Sequence, residues 1–445
     1  MFFSNTKKVT TSPEREKILA FAEAGIKAVT PTVALPRGFS CDGKTIIVQE
    51  KSFNIVGKRI FVIGAGKAAS AMAIEVEKIL GVDQIEAGIV LSGDTDLKPK
   101  KIDVLLADHP IPKENSMRGT QEIFLLKEKH NIGADDLIVA LISGGGSAMM
   151  SRPAPGISFE DKKRLFHLFI TRGIRGYEST IIKTKVSQVK GGALASYFAP
   201  TPIISLVLSD DNGESGHHMT ASGPFISHPS TFSDAWEVVK KYGIENNIPQ
   251  SVKSFLVRGK EKNMPNTDHV YQTVIAKNED ACEAIQAAAE KKGIRAFVQT
   301  GVRGETKNAA RKACKEVFGN SVRKPTLFVY GGETMVTLGK QNGVGGRNQE
   351  YVLACLEYLS RKRVDGKWCI AAIATDGVDY IQESTGAIAD NRSLDIVHKK
   401  NMRIRPYLEN HDAYNFLKRI GSNVVASQGT NTNVGDIMLF YRLPR

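Results

Sequence analysis

Residues 59–67 read Arg59-Ile-Phe-Val-Ile63-Gly64-Ala-Gly66-Lys67, an apolar run that ends in a glycine-rich turn. The run 59–63 is short and almost wholly apolar, as is typical of a buried strand. The glycine turn that follows opens into a stretch of small residues, which predicts a helix over residues 68–80. A buried strand, a glycine turn and a helix form a βα unit, so an α/β domain is predicted.

The same pattern repeats along the first half. An amphipathic helix is predicted over residues 14–29, behind a candidate N-cap at Ser12. Helical stretches separate several further apolar runs, which is the alternation of a doubly wound parallel sheet. The further strands are predicted at residues 87–91, 104–107, 136–142 and 202–208.

The pattern weakens in a polar segment over residues 245–273 and then resumes. This change predicts a domain boundary, with one domain over residues 1–262 and a second α/β region over residues 263–445. Helices are predicted there at residues 306–318 and 347–360. The strands of the second region are predicted at residues 274–276, 296–299, 326–330, 335–338, 369–375 and 424–427.

Composition narrows the class of protein. Hydrophobic residues make up 42% and charged residues 24% of the 445 residues, which excludes a disordered chain and predicts a soluble globular protein. The formal net charge of +13 favours binding to an anionic partner, which is nucleic acid, an acidic membrane surface or an anionic small substrate. Five scattered cysteines without a CxxC pair predict a reducing compartment. The cytosol is expected, and the acid-free residues 1–12 leave a mitochondrial address open.

Two glycine-rich segments follow predicted strands. At the first, Gly64, Gly66 and Lys67 lie at a helix start, where free N–H groups and the helix dipole favour an anion. The dinucleotide fingerprint G-x-G-x-x-G fails because Ala69 occupies its third position. A tight turn with an exposed lysine is the alternative.

The second segment, residues 143–147, is Ser143-Gly144-Gly145-Gly146-Ser147. Three consecutive glycines cost backbone entropy unless the backbone must approach something closely. A phosphate or a carboxylate is the natural ligand for such a loop, since loops of open α/β sheets converge at the carboxyl ends of the strands.

Charged residues also follow strands. Asp210 and Asp376 are candidate Mg²⁺ ligands, with Asx-turn or N-cap duty as the alternative. Arg347 stands at a glycine-prepared helix start, where it would clamp a phosphate; an ion pair with a nearby glutamate is the alternative. Glu333 and Asn348 belong to the same polar cluster and are candidate substrate- or phosphate-binding residues.

Two other kinds of site are not supported by the sequence. The pair His217-His218 has no further ligand at metal spacing, so zinc is not expected. The chain also contains no G-x-S-x-G motif, so a nucleophilic serine of the hydrolase type is not predicted.

In their order, the motifs resemble the glycerate 2-kinase family, the class II glycerate kinases whose C-terminal region is called MOFRL. The resemblance spans nearly the whole chain. The matching segments are Val62-Ile-Gly-Ala-Gly-Lys67-Ala, His109-Pro-Ile-Pro112 with Asn115-Ser116 and Gly119-Thr120, Ser143-Gly-Gly-Gly-Ser147-Ala, Lys190-Gly-Gly192, Ser209-Asp210, Ala221-Ser-Gly-Pro224, Gly331-Gly-Glu-Thr334, Gly346-Arg-Asn-Gln-Glu350, Ala374-Thr-Asp-Gly377 and Thr432-Asn-Val434 with Asp436.

The resemblance implies phosphorylation of D-glycerate at its 2-hydroxyl by ATP with a divalent metal, Mg²⁺. It implies a Rossmann-like domain followed by a MOFRL domain, with the active site in an interdomain cleft. Lys67 and Arg347 fall on the family's two presumed catalytic positions, with exchangeable roles at the phosphoryl group and the glycerate carboxylate. Asp210 and Asp376 become candidates for contact with the metal or the substrate hydroxyl, Asp376 is also a candidate base, and Lys190 joins the candidate phosphate-binding residues.

The partners implied are small molecules, with no nucleic acid and no membrane, for a monomer or a homodimer. The chain departs from the family pattern at several positions. Lys183 stands in place of an arginine, Lys185 in place of a histidine, Glu214 in place of an aspartate and Tyr380 in place of a glycine. Ser427-Gln and Asp412-Ala-Tyr414 differ as well. A hydroxypyruvate reductase, and a weakened descendant that only binds nucleotide, therefore remain alternatives.

Overall fold

A computed structural model describes residues 2–174, 176–211, 219–259, 264–338, 343–362, 364–426 and 429–445. The chain divides into two compact units, Pro31–Ala276 and the combination of Met1–Thr30 with Lys277–Arg445. Four residues named above from the sequence lie outside the described part of the chain: Glu214, His217, His218 and Ser427.

The helices and strands alternate along most of the chain. The strands are β1 (Phe39–Cys41), β2 (Thr45–Val48), β3 (Lys51–Asn54), β4 (Ile60–Ala65), β5 (Ile85–Ser92), β6 (Ile102–Leu106), β7 (Leu137–Ser143), β8 (Ile203–Leu208), β9 (Val270–Ala276), β10 (Arg295–Val302), β11 (Thr326–Gly332), β12 (Trp368–Ala374), β13 (Gly386–Asp390), β14 (Asn423–Val424) and β15 (Asp436–Arg442).

The α-helices are α1 (Thr6–Val9), α2 (Pro13–Ala28), α3 (Pro31–Gly38), α4 (Ala69–Leu80), α5 (Glu114–His130), α6 (Gly146–Met149), α7 (Phe159–Arg172), α8 (Gly176–Lys185), α9 (Ala193–Phe198), α10 (Phe232–Lys241), α11 (Gln250–Arg258), α12 (Asn278–Glu290), α13 (Thr306–Phe318), α14 (Arg347–Leu359), α15 (Asn391–Lys399), α16 (Ile404–Glu409) and α17 (Ala413–Arg419). Short 3₁₀ turns span Val82–Gln84 and Thr220–Ser222.

The unit Pro31–Ala276 contains a six-stranded, wholly parallel sheet in the order β6-β5-β4-β7-β8-β9. Three adjacent interior strands, β4, β7 and β8, are buried along their whole length, which explains their continuous apolar sequences. The order reverses between β4 and β7, and such a switch point opens a crevice at the carboxyl ends of the strands. The predicted doubly wound parallel sheet is confirmed, and the switch point marks where a ligand is expected.

A separate antiparallel sheet, β1-β2-β3, was not predicted. Its strands are only three or four residues long, and most of β3 is exposed, so the sequence carries little apolar alternation there. It lies in the same unit, before β4.

The other unit contains a mixed sheet in the order β10-β11-β15-β12-β13-β14. In this described sheet β10 and β11 pair in parallel. Strand β15 inserts between β11 and β12 and is antiparallel to both, and β13 is antiparallel to β12 and to β14. The predicted strand over residues 335–338 is wrong: Met335 makes a single bridge with Glu305, and Leu338 is exposed. The strand predicted over residues 424–427 is shorter, ending at Val424.

The division of the chain into two compact units differs from the domain boundary predicted between residues 262 and 263. Helix α2 packs on α12, β12 and β15, and its buried Arg15 forms a 3.0 Å ion pair with Asp390. Residues 270–276 form β9, which pairs with β8. The N-terminal segment therefore belongs with the C-terminal unit, and the polar segment before β9 is a connection within the other unit. Ser12 caps α2 as predicted, accepting from the Arg15 amide.

Among the described residues, no single helix is both long and apolar enough to cross a membrane; α2 and α3 meet the length and composition only when taken together. All five cysteines are free thiols.

Candidate active site

Lys67 and the glycine loop, residues 143–147, meet at the carboxyl ends of β4 and β7. The Lys67 amide donates to the Gly144 carbonyl at 2.9 Å, and the Ala68 amide donates to Ser143 Oγ at 3.0 Å. A Cβ built on Gly145 would lie 3.2 Å from Lys67 Cγ and 3.3 Å from His109 Cδ2. The Lys67 side chain therefore runs over the glycine loop at the switch point, with His109 beside the same glycine.

The glycines Gly64 and Gly66 have a packing explanation. A Cβ on Gly64 would lie 2.3 Å from the Leu141 carbonyl oxygen, and one on Gly66 would lie 2.1 Å from Ser143 Oγ. Gly66 also has a φ of +140°, which other residues rarely adopt. These two glycines allow β4 and the turn after it to approach β7; their predicted contact with an anion stays a prediction.

The amino group of Lys190 binds the backbone around the short helix α6, which begins inside the glycine loop. Its Nζ donates to the carbonyls of Ser147 at 2.7 Å and Met150 at 3.1 Å, and the side chain is 1% exposed. Burial, reinforced by Lys162 and Lys183, holds its pKa well below the ordinary lysine value. In this structure Lys190 ties the glycine loop in place, which is a different role from the phosphate contact expected for it.

A second buried lysine supports the segment after the loop. Lys162 Nζ donates to the Arg152 carbonyl at 3.0 Å and to Ser187 Oγ at 3.3 Å. Burial, with a smaller contribution from the positive Lys183, lowers its pKa to about 7. At the end of the glycine loop, the hydroxyls of Ser147 and Ser222 are 2.9 Å apart.

Asp210 follows β8, the strand next to β7, so its position is at the same edge of the sheet as Lys67 and the glycine loop. It is half-buried. Its neighbours are engaged locally: the Asp211 amide donates to Ser209 Oγ at 3.2 Å, and the Met219 amide donates to Asp211 Oδ2 at 3.1 Å. The parallel sheet thus brings three of the predicted segments to one edge.

Arg347 is the centre of a charged cluster in the other unit. Its Nε and Nη2 donate to the two carboxylate oxygens of Asp436 at 2.5 and 3.0 Å, and its Nη1 lies 2.9 Å from Glu333 Oε1. Burial acts to lower the pKa of the guanidinium, but Asp436, Glu333 and Asp379 outweigh it and raise that pKa. The glutamate ion pair proposed as the alternative role for Arg347 is therefore present, together with a stronger contact to Asp436.

The start of α14 is occupied by Asp379. Its carboxylate accepts from the amides of Asn348 at 3.1 Å and Gln349 at 2.8 Å, and a Cβ on Gly346 would lie 2.3 Å from its Cγ. Asn348 also donates from Nδ2 to Asp436 at 2.9 Å. Burial raises the pKa of Asp379, and it raises the pKa of Asp436 to about 6 against the opposing effect of Arg347.

Asp376 follows β12 and its Oδ1 accepts from the Val378 amide at 3.0 Å, an Asx turn. This contact is the local role that the sequence left open for it. Among the described residues, no group of three or more His, Cys, Asp or Glu side chains has the geometry to hold a metal ion.

Four departures from the family pattern lie in described segments, and one of them, Asp412-Ala-Tyr414, includes the first residues of α17. Lys183 donates to Ser179 Oγ at 3.0 Å and lies over the Phe166 ring, and Lys185 donates to the Ser230 carbonyl. Tyr380 has a φ of +70° and is 75% exposed, so a bulky residue adopts the left-handed conformation at a position where the resemblance predicts glycine.

Sequence reasoning did not assign roles to His109, Asp379, Asp436 or Ser222. His109, Ser222 and Asp436 lie within the motifs of the resemblance, which was the only signal for them. Asp379 stands three residues after Asp376, and only the fold shows that it reaches the start of α14.

Comparison with known families and proteins gives a consistent result. Residues 17–257 match the family described as "Domain of unknown function (DUF4147)", and residues 326–436 match the MOFRL family. The chain is 34% identical over 436 residues to a Pyrococcus horikoshii protein named glycerate 2-kinase, with 96% of each chain covered. It is also 34% identical over 408 residues to an Agrobacterium vitis protein named putative hydroxypyruvate reductase, covering 89% of this chain and 90% of the relative.

A crystal structure of a glycerate kinase from Thermotoga maritima matches with a TM-score of 0.78 at 29% identity, covering 97% of this chain and all of the other. The match extends over both α/β units, so it confirms the predicted two-domain α/β fold. The chain therefore belongs to the MOFRL family of glycerate kinases.

Proposed function

We propose that the protein is a glycerate 2-kinase, a phosphotransferase with an alcohol group as acceptor, which transfers the γ-phosphoryl group of ATP to the 2-hydroxyl of D-glycerate. The observation that carries the proposal is the packing of Lys67 on the glycine loop at the switch point of the parallel sheet. Relatives with the kinase name match this chain over almost its whole length, which supports it further.

The proposed reaction forms a bond between the glycerate O2 atom and the γ-phosphorus and breaks the bond from that phosphorus to the β,γ-bridging oxygen. ADP leaves, and the proton of the 2-hydroxyl passes to a base. We assign Lys67 to the charge that develops on the transferring phosphoryl group, because phosphoryl transfer depends mainly on positioning and charge neutralisation. Asp376 is the proposed candidate for the base, and Asp210 is a proposed contact of the 2-hydroxyl.

Arg347 is assigned to an oxyanion of the substrates, either the glycerate carboxylate or a phosphoryl oxygen. Asp436 fixes its guanidinium plane through two hydrogen bonds. A guanidinium held in one plane recognises a carboxylate or a phosphate bidentately.

The chain's carboxylates fit a metal that arrives with ATP. Mg²⁺ usually keeps several waters and takes one or two protein carboxylates together with substrate phosphates, so it does not need a cage of three acidic side chains. Asp210 or Asp376 would hold it, and when bound it would neutralise charge on the phosphates. The cytosol is the proposed compartment, supported by the five free thiols.

A coupled assay tests the proposal. Purified protein is incubated with ATP, Mg²⁺ and D-glycerate, and enolase alone is added to consume any 2-phosphoglycerate. Consumption of the product by enolase supports the assignment. A product that enolase cannot use until a mutase is added would mean phosphorylation at the 3-position instead.

A hydroxypyruvate reductase is the second candidate, because the Agrobacterium vitis relative carries that name. The turn after β4 argues against it, since Ala69 stands where a dinucleotide-binding turn has its third glycine, and the Lys67 and Ala68 amides already donate within the protein. Oxidation of NADH in the presence of hydroxypyruvate would favour this second candidate.

A further inference from the structure

The guanidinium of Arg347 lies near several carboxyl groups, which repel an anionic substrate. Three carboxyl groups act on this one guanidinium, those of Asp436, Glu333 and Asp379. An anionic substrate that approached without any rearrangement would meet more negative than positive charge. Displacement of one carboxylate from the guanidinium would therefore favour the binding of a substrate oxyanion.

The contacts of the three carboxylates show which one is free to move. Asp436 is 1% exposed and receives two hydrogen bonds from Arg347 and a third from Asn348. Asp379 is buried and accepts from two backbone amides at the start of α14. Glu333 is 37% exposed, and its side chain is paired with Nη1 of Arg347. Burial and hydrogen bonding thus hold the first two in place, and Glu333 is the weakly held partner.

The shape of the guanidinium points to the same residue. An arginine side chain has five N–H donors, and it recognises an oxyanion bidentately along an edge formed by two nitrogens. Asp436 takes the edge formed by Nε and Nη2. The edge that remains for a second oxyanion is formed by Nη1 and Nη2, and Glu333 Oε1 already lies 2.9 Å from Nη1.

We propose that Glu333 determines the affinity for the anionic substrate by occupying the outer edge of Arg347, and that the substrate oxyanion displaces it on binding. This inference rests on the proposed function of Arg347. Glu333 thus competes with the substrate, and Asp436 keeps the guanidinium in its plane during the exchange. The displacing group is an oxyanion, either the carboxylate of the hydroxy acid or a phosphate oxygen of the nucleotide.

The test is the substitution Glu333→Gln, which removes the charge and keeps the side-chain size. The KM for the substrate that binds Arg347 is expected to fall about two- to fivefold, the range of a partly exposed ion pair, with kcat within about twofold of wild type. A lower KM for D-glycerate identifies the carboxylate as the displacing group, and a lower KM for ATP identifies a phosphate. Raising the ionic strength should reduce the difference, because salt screens an exposed pair.

Two further variants make the test specific. Glu409→Gln removes the same charge from an exposed ion pair with Arg405 on α16 and should leave both KM values unchanged. Glu333→Asp keeps the charge and should stay closer to wild type than Glu333→Gln. Unchanged or higher KM values for both substrates in Glu333→Gln would overturn the inference. So would a kcat loss of tenfold or more, since Glu333 would then take part in the reaction itself.

The inference and the proposed function fail in different ways. If the wild-type protein phosphorylates glycerate, the KM values of Glu333→Gln decide the inference alone. If the wild-type protein shows no kinase activity, the proposed function is wrong, and isothermal titration of both proteins with D-glycerate and with ATP decides the inference. Equal affinities in that titration would overturn it, and tighter binding by Glu333→Gln would support it.

Discussion

Replacing Lys190 with methionine separates two roles for this lysine, a phosphate ligand and a tether for the glycine loop. Methionine keeps the unbranched apolar stem and removes the amine that donates to the Ser147 and Met150 carbonyls at 2.7 and 3.1 Å. The bond to Met150 is buried and the bond to Ser147 is part-buried, and both carbonyls lose this donor. At about 1 kcal/mol or more for each lost bond, the cost is about 2–3 kcal/mol. For a unit of this size that cost lowers the Tm by about 5–10 °C.

The loop that Lys190 holds also carries the surface against which Lys67 packs. A displacement of the loop by about 1 Å is expected to lower kcat/KM at least tenfold. Lys163→Met is the matched control, because Lys163 is an exposed lysine on α7 whose ion pair with Glu160 lies on the surface. Thermal unfolding and steady-state kinetics are measured on all three proteins. A Tm equal to that of the control, with only the KM for ATP raised, would refute the tether and favour a direct phosphate contact.

Three further predictions concern other residues. Lys67→Met should lower kcat by about 10²–10³, the loss typical of one group that stabilises transition-state charge, with the Tm nearly unchanged. Lys162 has a folded-state pKa of about 7 and an ordinary value of 10.5, so the unfolded chain binds more protons between these values and stability rises with pH. Lys162→Met should therefore reduce the slope of the unfolding free energy between pH 7.5 and 9.5 by about 1.4 kcal/mol per pH unit. Tyr380→Gly should stabilise the protein by about 1 kcal/mol, because it relieves the left-handed backbone conformation.

Each of the three has an outcome that would contradict it. Full turnover by Lys67→Met would remove Lys67 from the reaction. Equal pH slopes in denaturant titrations of wild type and Lys162→Met would show that Lys162 is not titrating in this range. Tyr380→Ala, which removes the ring and keeps the Cβ, is the control for the third; a gain equal to that of Tyr380→Gly would mean that the ring, and not the backbone, carries the cost.

The first half of the fold was predictable because local pattern and tertiary structure agree there. Strands β4, β7 and β8 are buried on both faces and therefore read as continuous apolar runs. Their parallel pairing follows from the helices between them, and this pairing brings Lys67, residues 143–147 and Asp210 to one edge. The resemblance to the glycerate 2-kinase family predicted which reaction takes place at this edge of the sheet.

The second half was less predictable because its sheet depends on pairing between distant segments. Strand β15 inserts between β11 and β12, and no local pattern indicates that insertion. Residues 335–338 have the composition of a strand but lack a neighbour along most of their length. The hydrogen-bond partners of Arg347 and Lys190 could not be predicted from local pattern either, because Asp436 is 89 residues from Arg347 and Met150 is 40 residues from Lys190.

The position of the phosphoryl group in the product tests the central claim most directly. The protein is incubated with ATP, Mg²⁺ and D-glycerate, and the proton-coupled ³¹P NMR spectrum of the product is recorded. Phosphorylation at the 2-hydroxyl predicts a doublet, because the phosphorus then couples to the single proton on that carbon. A triplet would mean transfer to the 3-hydroxyl, and no new resonance from a folded protein that binds ATP would contradict the kinase assignment.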